Sequence, residues 1–467
     1  MTGRMVRVID ATLREGMQAE GGTFTVEQSV DVARGLIAAG VDMIECGHPA
    51  IGEAEKRRVA AVVEAVDGRA PVLSHARADV LDISAVAETG ADWVGVFLGV
   101  NDISLSNRTP GRTQDEVLQL IEDTIGHARA LGLKVRFTAE DSSRTDPALL
   151  AEAYSRAVKS GAERICLADT VGQLEPAGTA QLVEGLRAQE ADIDVEVHLH
   201  DDRGLATANA LAAVDAGANW ISTSVNGLGE RAGIVDLAGL LANLAHRGVR
   251  PLIEGTLLRD LSRRVGAYSR SAPDDRRPVV GANVFRHVSR LHVLAVERDP
   301  ATYEWASPDD FGARRHLGPG CLPERADDWV VKPPVLSAEE LRYHRKGPGD
   351  RYVMVDDRFV PGAGQYCIAR RIPKMDDYGA GHVDSHVHYC DSLFMFLGDE
   401  ASYQGLSVEV GLGDETFQVR SPASVFIPAG VRHSYRVVDG SGTYLNHVLA
   451  GDYNSSLLEP FRAEGEA

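Results

Sequence analysis

Between residue 6 and about residue 245, short β-branched apolar runs alternate with longer patterns rich in Ala, Leu and Glu. The runs are "VRVID" (6–10), "VDMIE" (41–45), "PVLSH" (71–75), "DWVGVFLG" (92–99), "KVRFTA" (134–139), "RICLAD" (164–169), "VEVHLH" (195–200) and "WISTSV" (220–225). Strands separated by helices cannot pair as hairpins. They pair in parallel, with each helix as the crossover. Helix limits are legible too: in "TVEQSVDVARGLIAAG", Thr25 and Gln28 stand at capping-box spacing and Gly40 ends the run. Several connections place Gly-Ala or Gly-Val just before the next strand, as in "AAGVDMIE", "ETGADWVG", "KSGAERIC" and "DAGANWIS". Eight such units predict an α/β fold of the (β/α)8 barrel type. A doubly wound open sheet is the competitor, but no glycine-rich phosphate fingerprint accompanies the first strand.

The remaining chain reads differently. Its 467 residues exceed what one core usually organises. Residues 1–250 are assigned to the barrel and 251–322 to a helical appendage containing "TLLRDLSRRVGAYSR" and "NVFRHVSRLHVLAVE". Proline, glycine and charge mark 323–340 as a linker. From 341 to 467 short strands with turn signals, among them "GQYCIARRI", "DSLFMFLG" and "ASVFIPAG", predict a small all-β barrel or jelly roll. Against 48 basic side chains stand 68 acidic ones, and the net charge of -20 disfavours nucleic acid and anionic membrane as partners. Five cysteines, Cys46, Cys166, Cys321, Cys367 and Cys390, show no C-x-x-C spacing, and no apolar run reaches the roughly 18 residues of a membrane span. A soluble cytoplasmic protein is expected.

In a (β/α)8 barrel the chemistry lies where strands end and βα loops begin. Seven of the eight runs end in polar stretches there: "DATLREGMQ", "IECGHP", "SHAR", "VRFTAEDSSR", "ADTVG", "HLHDD" and "SVNGLGER". Side chains two apart on a strand share a face, so His198 and His200 offer two imidazole nitrogens to one divalent metal. A carboxylate from the first strand end, Glu15 or Asp10, would complete the site. Asp201 and Asp202 are either acceptors that orient the imidazoles or residues that start the loop. Arg14 presents a fixed fork of donors suited to a developing enolate or a polarised carbonyl, or else pairs with a barrel acid.

"DATLREGMQ", "HLHDDRGLATANALAA" and "NGLGERAG" together resemble the three signatures of the metallolyase barrel superfamily of isopropylmalate, citramalate and homocitrate synthases and hydroxymethylglutaryl-CoA lyases. The resemblance covers roughly residues 5–305, and "IECGHPAIGEAE" and "VRFTAEDSSRTD" are most similar to the homocitrate synthases. It implies that Glu15, His198 and His200 bind the metal (Zn, Mn or Mg) and that Arg14 faces the carbonyl of a 2-oxo acid. It implies further that Thr170 holds the 1-carboxylate, that His75 and Arg136 read a distal anionic group, and that Glu45 stands near the reaction centre. "GANVFRHVSRLHVLAVERDPATYEW" resembles the segment that carries the family's catalytic His and Tyr, here His292 and Tyr303. In the family this segment reaches over the neighbouring subunit's barrel, which implies a homodimer. Two departures stand out: "GERAG" is followed by Ile234 rather than Asn, and "SRLH" puts Arg290 beside the catalytic position. The implied reaction is a Claisen-type condensation of acetyl-CoA, as cosubstrate, with a dicarboxylic or phosphono 2-oxo acid. The alternatives are a metal-dependent lyase running the reverse cleavage and a metabolite-sensing protein without catalysis.

A second His-x-His lies in "GHVDSHVHYCDSLFMFLG", followed by "SPASVFIPAGVRHSYRV". This resembles the cupin pattern and implies a second divalent site (Fe, Mn, Zn or Ni) built from His386, His388 and His433, with Asp391 as a further ligand. The cupin pattern names no reaction, and catalytic, regulatory and dimer-stabilising roles all remain open.

Overall fold

The computed structural model describes residues 5–251, 254–318, 330–346, 349–379 and 383–461. Strands β1 (Arg7–Asp10), β2 (Met43–Glu45), β3 (Val72–Arg77), β4 (Trp93–Gly99), β5 (Lys134–Glu140), β6 (Arg164–Asp169), β7 (Asp194–Leu199) and β8 (Trp220–Thr223) pair in parallel, in sequence order. β8 pairs back onto β1, with Val8 opposite Ile221, and closes the barrel. All eight anticipated runs are these strands. Thr25 and Gln28 form the reciprocal capping box at the start of the helix Val26–Ala38.

The barrel interior is layered because alternate side chains point inward. At the strand starts lie Ile9, Met43, Leu73, Trp93 and Trp220, all buried. The Arg164 guanidinium enters this layer, 3.5 Å from the Trp220 ring centroid and 4.7 Å from that of Trp93. Glu196, one inward step along β7, accepts from Arg164 at 3.0 Å and from Arg136 at 2.8 Å. Arg136 reaches across the axis to Glu45, bonding both carboxylate oxygens at 3.0 and 3.1 Å. Its path needs Gly95, since a Cβ there would sit 2.6 Å from an Arg136 nitrogen.

After the barrel, the helix Gly255–Tyr268 folds back, and Leu258, Leu261 and Val265 join the barrel's main apolar core. Two short strands, β9 (Arg286–His287) and β10 (His316–Leu317), pair in parallel, with the helix Arg290–Arg298 between them in sequence. Residues 319–329, including Cys321 and much of the expected linker, lie outside the described residues.

The C-terminal region is antiparallel. Its strands are β11 (Val335–Leu336), β12 (Arg351–Val355), β13 (Tyr366–Ile372), β14 (Val383–His386), β15 (Ser392–Gly398), β16 (Leu406–Leu412), β17 (Glu415–Arg420), β18 (Ala423–Ile427), β19 (His433–Gly440) and β20 (Gly442–Val448). They form a sheet ordered β11-β12-β13-β20-β15-β18 and a second ordered β14-β19-β16-β17. An aromatic core from both sheets, including Phe394, Phe396, Tyr435 and Tyr444, joins them. "LSVEVGLGDETFQV" is a hairpin: Leu412 pairs with Glu415 across a two-residue turn that Gly413 enters at φ +59°. Sequence reading also passed over β20, which is central. Its inward set, Gly442, Tyr444, Asn446 and Val448, carries a glycine and a buried amide, so the apolar alternation is faint.

The last described residues return to the barrel. The Phe461 amide donates to Asp31 Oδ1 at 3.0 Å, and Arg264 donates to Asp31 Oδ2 at 2.8 Å while lying 4.4 Å from the Phe461 ring centroid. No described helix is long and apolar enough to cross a membrane.

Removing the charge of Glu196 would leave Arg136 and Arg164 buried with one carboxylate fewer between them. Breaking such a pair costs about 3 kcal/mol or more. Glu196→Gln is therefore expected to lower the barrel's unfolding free energy, measured in urea, by that order, and an unchanged free energy contradicts the ascribed role.

Candidate active site

At the other end of the barrel, the strand ends converge on a cavity of about 360 Å³ lined by Arg14, Glu15, His48, His75, Phe97, Arg108, Arg136, Thr138, Glu140, Thr170, His198, His200 and Arg231, among others. Glu15, His198 and His200 bring one ligand atom each within 4.8 Å of one another, and all three are buried. The loop after β1 turns Glu15 inward, and its Oε1 accepts from the Glu230 amide at 3.1 Å. His198 is fixed by a contact of 2.9 Å between Nδ1 and the Ser222 hydroxyl, which leaves Nε2 3.8 Å from Glu15 Oε2. His200 keeps Nδ1 buried without a partner.

The protonation states suit a cation. Burial, reinforced by Arg14, holds His198 well below the usual imidazole range, and burial lowers His200 as well. Burial works against the charge on Glu15, but Arg14 and the two histidines outweigh it and take the carboxyl down to about 2. Two neutral imidazoles, one carboxylate and an orphaned buried nitrogen make a donor set that fits a divalent metal. Asp10, the other first-strand acid, is spent elsewhere: its oxygens accept from the Thr12 amide at 2.9 Å and the Thr223 hydroxyl at 3.2 Å.

Arg14 stands directly beside the triad. It pairs with Glu15, and its Nε donates to Glu45 at 2.9 Å. Burial opposes its charge, yet Glu45 and Glu15 together raise its affinity for the proton. Glu45 lies beside the site, under three of its lining residues. It is fully buried and not among the cavity's lining residues; it holds Arg14, Arg136 and the His75 ring nitrogen from beneath.

His75 and Arg136 both line the cavity. Their polar atoms are partly committed: His75 Nδ1 to Glu45 at 2.9 Å, and Arg136 to Glu45 and Glu196. Burial, with Arg14 nearby, lowers His75 to about 4, and its ring stacks on Phe97 at 4.4 Å. Thr170 lines the cavity with Oγ1 accepting from the Asp141 amide at 2.8 Å, so its hydroxyl hydrogen is left to donate. Neither Asp201 nor Asp202 orients an imidazole. Asp201 accepts from the Ala206 amide at 2.8 Å and starts the next helix, and Asp202 pairs with Arg231 at 2.8 Å. Sequence reasoning missed Ser222, the group that orients His198, and Arg108, which pairs with Glu140 at 2.8 Å at the cavity wall. The strand-end motifs carry no such signal; only closure of the barrel brings these groups together.

His292 and Tyr303 stack on each other at 3.7 Å, but they are not among the residues that line this cavity. They sit on the segment after the barrel, where Leu291 is 68% and Trp305 51% exposed.

In the C-terminal sheets a second cluster forms. His386, His388 and His433 each bring a ring nitrogen within 4.8 Å of the others. Every Nδ1 is held: His386 by the Asp384 carbonyl at 2.8 Å, His388 by the Ser456 hydroxyl at 2.7 Å, and His433 by the Val431 carbonyl at 2.9 Å. The Nε2 atoms of His386 and His388 lie 3.1 Å apart, and His433 Nε2 has no partner. Asp391 does not join them. Its Oδ1 accepts from the Ala429 amide at 2.8 Å and shapes the loop before β19.

Residues 5–265 match the HMGL-like family, and residues 279–320 match the homocitrate synthase post-HMGL domain-like family. The chain belongs to the HMGL-like family. It is 40% identical over 314 residues to the homocitrate synthase of Saccharolobus solfataricus, covering 66% of this chain and 68% of that one. To the homocitrate synthase of Sulfurisphaera tokodaii it is 40% identical over 346 residues, 72% of this chain and 74% of that one. Among solved structures, the HMG-CoA lyase of Brucella melitensis shares the barrel fold with a TM-score of 0.51 at 20% identity, covering 57% of this chain and 100% of that one.

Proposed function

We propose that this chain condenses acetyl-CoA with a 2-oxo acid that carries a distal anionic group, in the manner of a homocitrate synthase. The observation that carries the reading is the Glu15, His198 and His200 triad with the Arg14 guanidinium locked beside it. A divalent metal (Zn, Mn or Mg) bound there would supply Lewis-acid polarisation of the oxo acid's carbonyl. Arg14 points its fork of donors at the oxygen on which negative charge builds, and Glu45 fixes that fork in advance, so no reorganisation is needed. The Thr170 hydroxyl donates to the 1-carboxylate. Arg136 and, at the wall, Arg108 form the cationic side that selects the distal anion, and His75, neutral with its one N–H on Glu45, would join them on taking up a proton as the anion binds. Such a side rejects an apolar oxo acid, because its own buried donors would be left unpaired.

The base that takes a proton from the acetyl-CoA methyl group is His292, with Tyr303 stacked on it. The carbanion then attacks the carbonyl carbon, and hydrolysis of the thioester releases CoA. In the single chain this pair lies outside the cavity, and the exposed Leu291 and Trp305 need a surface to cover them. A homodimer, in which each arm completes its neighbour's site, satisfies both facts. The region 341–467 reads as a cupin whose three histidines hold a second divalent metal (Fe, Mn, Zn or Ni), in a catalytic or regulatory role on the same pathway. The free cysteines Cys46, Cys166, Cys367 and Cys390 agree with a reducing, cytoplasmic setting.

CoA release from acetyl-CoA across a panel of 2-oxo acids tests the reaction. Release is expected with one dicarboxylic or phosphono oxo acid and unchanged after His386→Ala, whereas no release with any of them sinks the proposal. The shared site has its own test. His198→Ala and His292→Ala homodimers are each expected to be inactive, and mixing them by co-expression restores about a quarter of the activity per subunit, since one site in two is intact in about half the dimers. No recovery contradicts the exchange of arms.

A further inference from the structure

We propose that the interior of the C-terminal sheets binds a small organic anion, a di- or tricarboxylate, one end of which meets the three-histidine cluster and the other Arg351 and Arg370. The inference rests on, and deepens, the reading of that cluster as a metal site.

Arg351 on β12 and Arg370 on β13 are directly paired, and Arg370 is paired in turn with Tyr444 on β20. All three are buried, at 5%, 2% and 2% exposure, so two guanidinium groups lie side by side inside the sheets. Burial, and after it the repulsion of Arg370, pulls Arg351 below the usual guanidinium range. Among the described residues Arg351 makes no ion pair. One terminal nitrogen donates to the Arg345 carbonyl at 2.7 Å, and Nε has no partner. The barrel treats its buried arginines otherwise: Arg136, Arg164 and Arg264 are each met by a carboxylate. A buried cation beside a like charge costs stability unless something negative arrives.

The surrounding groups are also waiting. Both His344 nitrogens, the Tyr366 and Tyr444 hydroxyls, the Asn446 carbonyl oxygen and His433 Nε2 are buried without a hydrogen-bond partner. Native interiors leave few such atoms, and a cluster of them marks a place where another polar molecule belongs. They are continuous with the histidines. Tyr435 follows His433 by two residues on the same face of β19, stands 4.2 Å from Tyr444 and hydrogen-bonds with Arg370. Tyr366 is 5.5 Å from Tyr453, whose hydroxyl is 3.2 Å from His386 Nε2. The His344 ring lies 5.0 Å from that of Tyr453, and the residue pairs with Val383 at the start of β14, the strand that carries His386. Three imidazoles leave coordination positions open to carboxylate or hydroxyl oxygens, and an arginine pair takes a second carboxylate. A hydroxy tricarboxylate, such as the proposed barrel reaction makes, and a 2-oxo dicarboxylate share this chemistry.

The test uses the full chain carrying His198→Ala and His200→Ala, so that the barrel holds no metal, loaded with Co²⁺. Metal analysis comes first: about one ion per chain is expected, and none overturns the metal reading and this inference together. Calorimetric titration with homocitrate and with 2-oxoglutarate follows. Binding of either supports the proposal, and the tighter one names the source. Affinity is expected to fall at least tenfold in Arg351→Met and in Arg370→Met. One metal ion with no anion bound, or affinity unchanged in both variants, overturns this inference alone. Thermal melting separates a ligand role from a packing one: unliganded Arg351→Met is expected to melt no lower than its parent, and a lowered midpoint contradicts the proposal.

Discussion

The site depends on a chain of buried charges that runs up the barrel axis. It begins with Arg164 between two tryptophans, passes through Glu196 and Arg136 to Glu45, and ends at Arg14 against Glu15. Each charge is tolerable only because the next one compensates it, so no member can shift alone. The outcome at the top is a guanidinium that cannot relax away from the metal triad. A preorganised donor of this kind is what an acyl-condensing reaction needs where negative charge develops on an oxygen.

The proposed reaction needs a cavity that accepts an anion in a chain of net charge -20. The surface field is acidic, but Arg14, Arg108, Arg136 and Arg231 all reach the cavity wall. The C-terminal sheets repeat the theme in a different form. There Arg351, the cross-strand neighbour of Arg370, makes no ion pair among the described residues, and the proposed anion would complete the interior from outside.

Much of this was legible in the sequence, for a definite reason. His198 and His200 share a face because strand side chains alternate, and the same rule puts Glu196 one step below them. The histidines announced themselves; Glu196 did not, because its partners Arg136 and Arg164 come from two other strands. Asp391 misled because a motif position fixes where an acid stands in the chain, not which amide it will meet, and here it met Ala429. Glu45 was correctly placed near the site, but depth along the barrel decides whether a carboxylate touches substrate or supports an arginine. His344, Arg351 and Arg370 drew no attention, since single basic residues on alternating strands read as surface until the sheets close over them.

The central claim is that the barrel forms a carbon–carbon bond. The direct measurement is carbon-13 NMR of the products from [2-¹³C]acetyl-CoA and the accepted 2-oxo acid. The account predicts that the label appears in a methylene carbon between a carboxylate and a quaternary carbinol carbon. Label recovered only as the methyl group of free acetate would contradict it, for the barrel would then be a hydrolase and not a synthase.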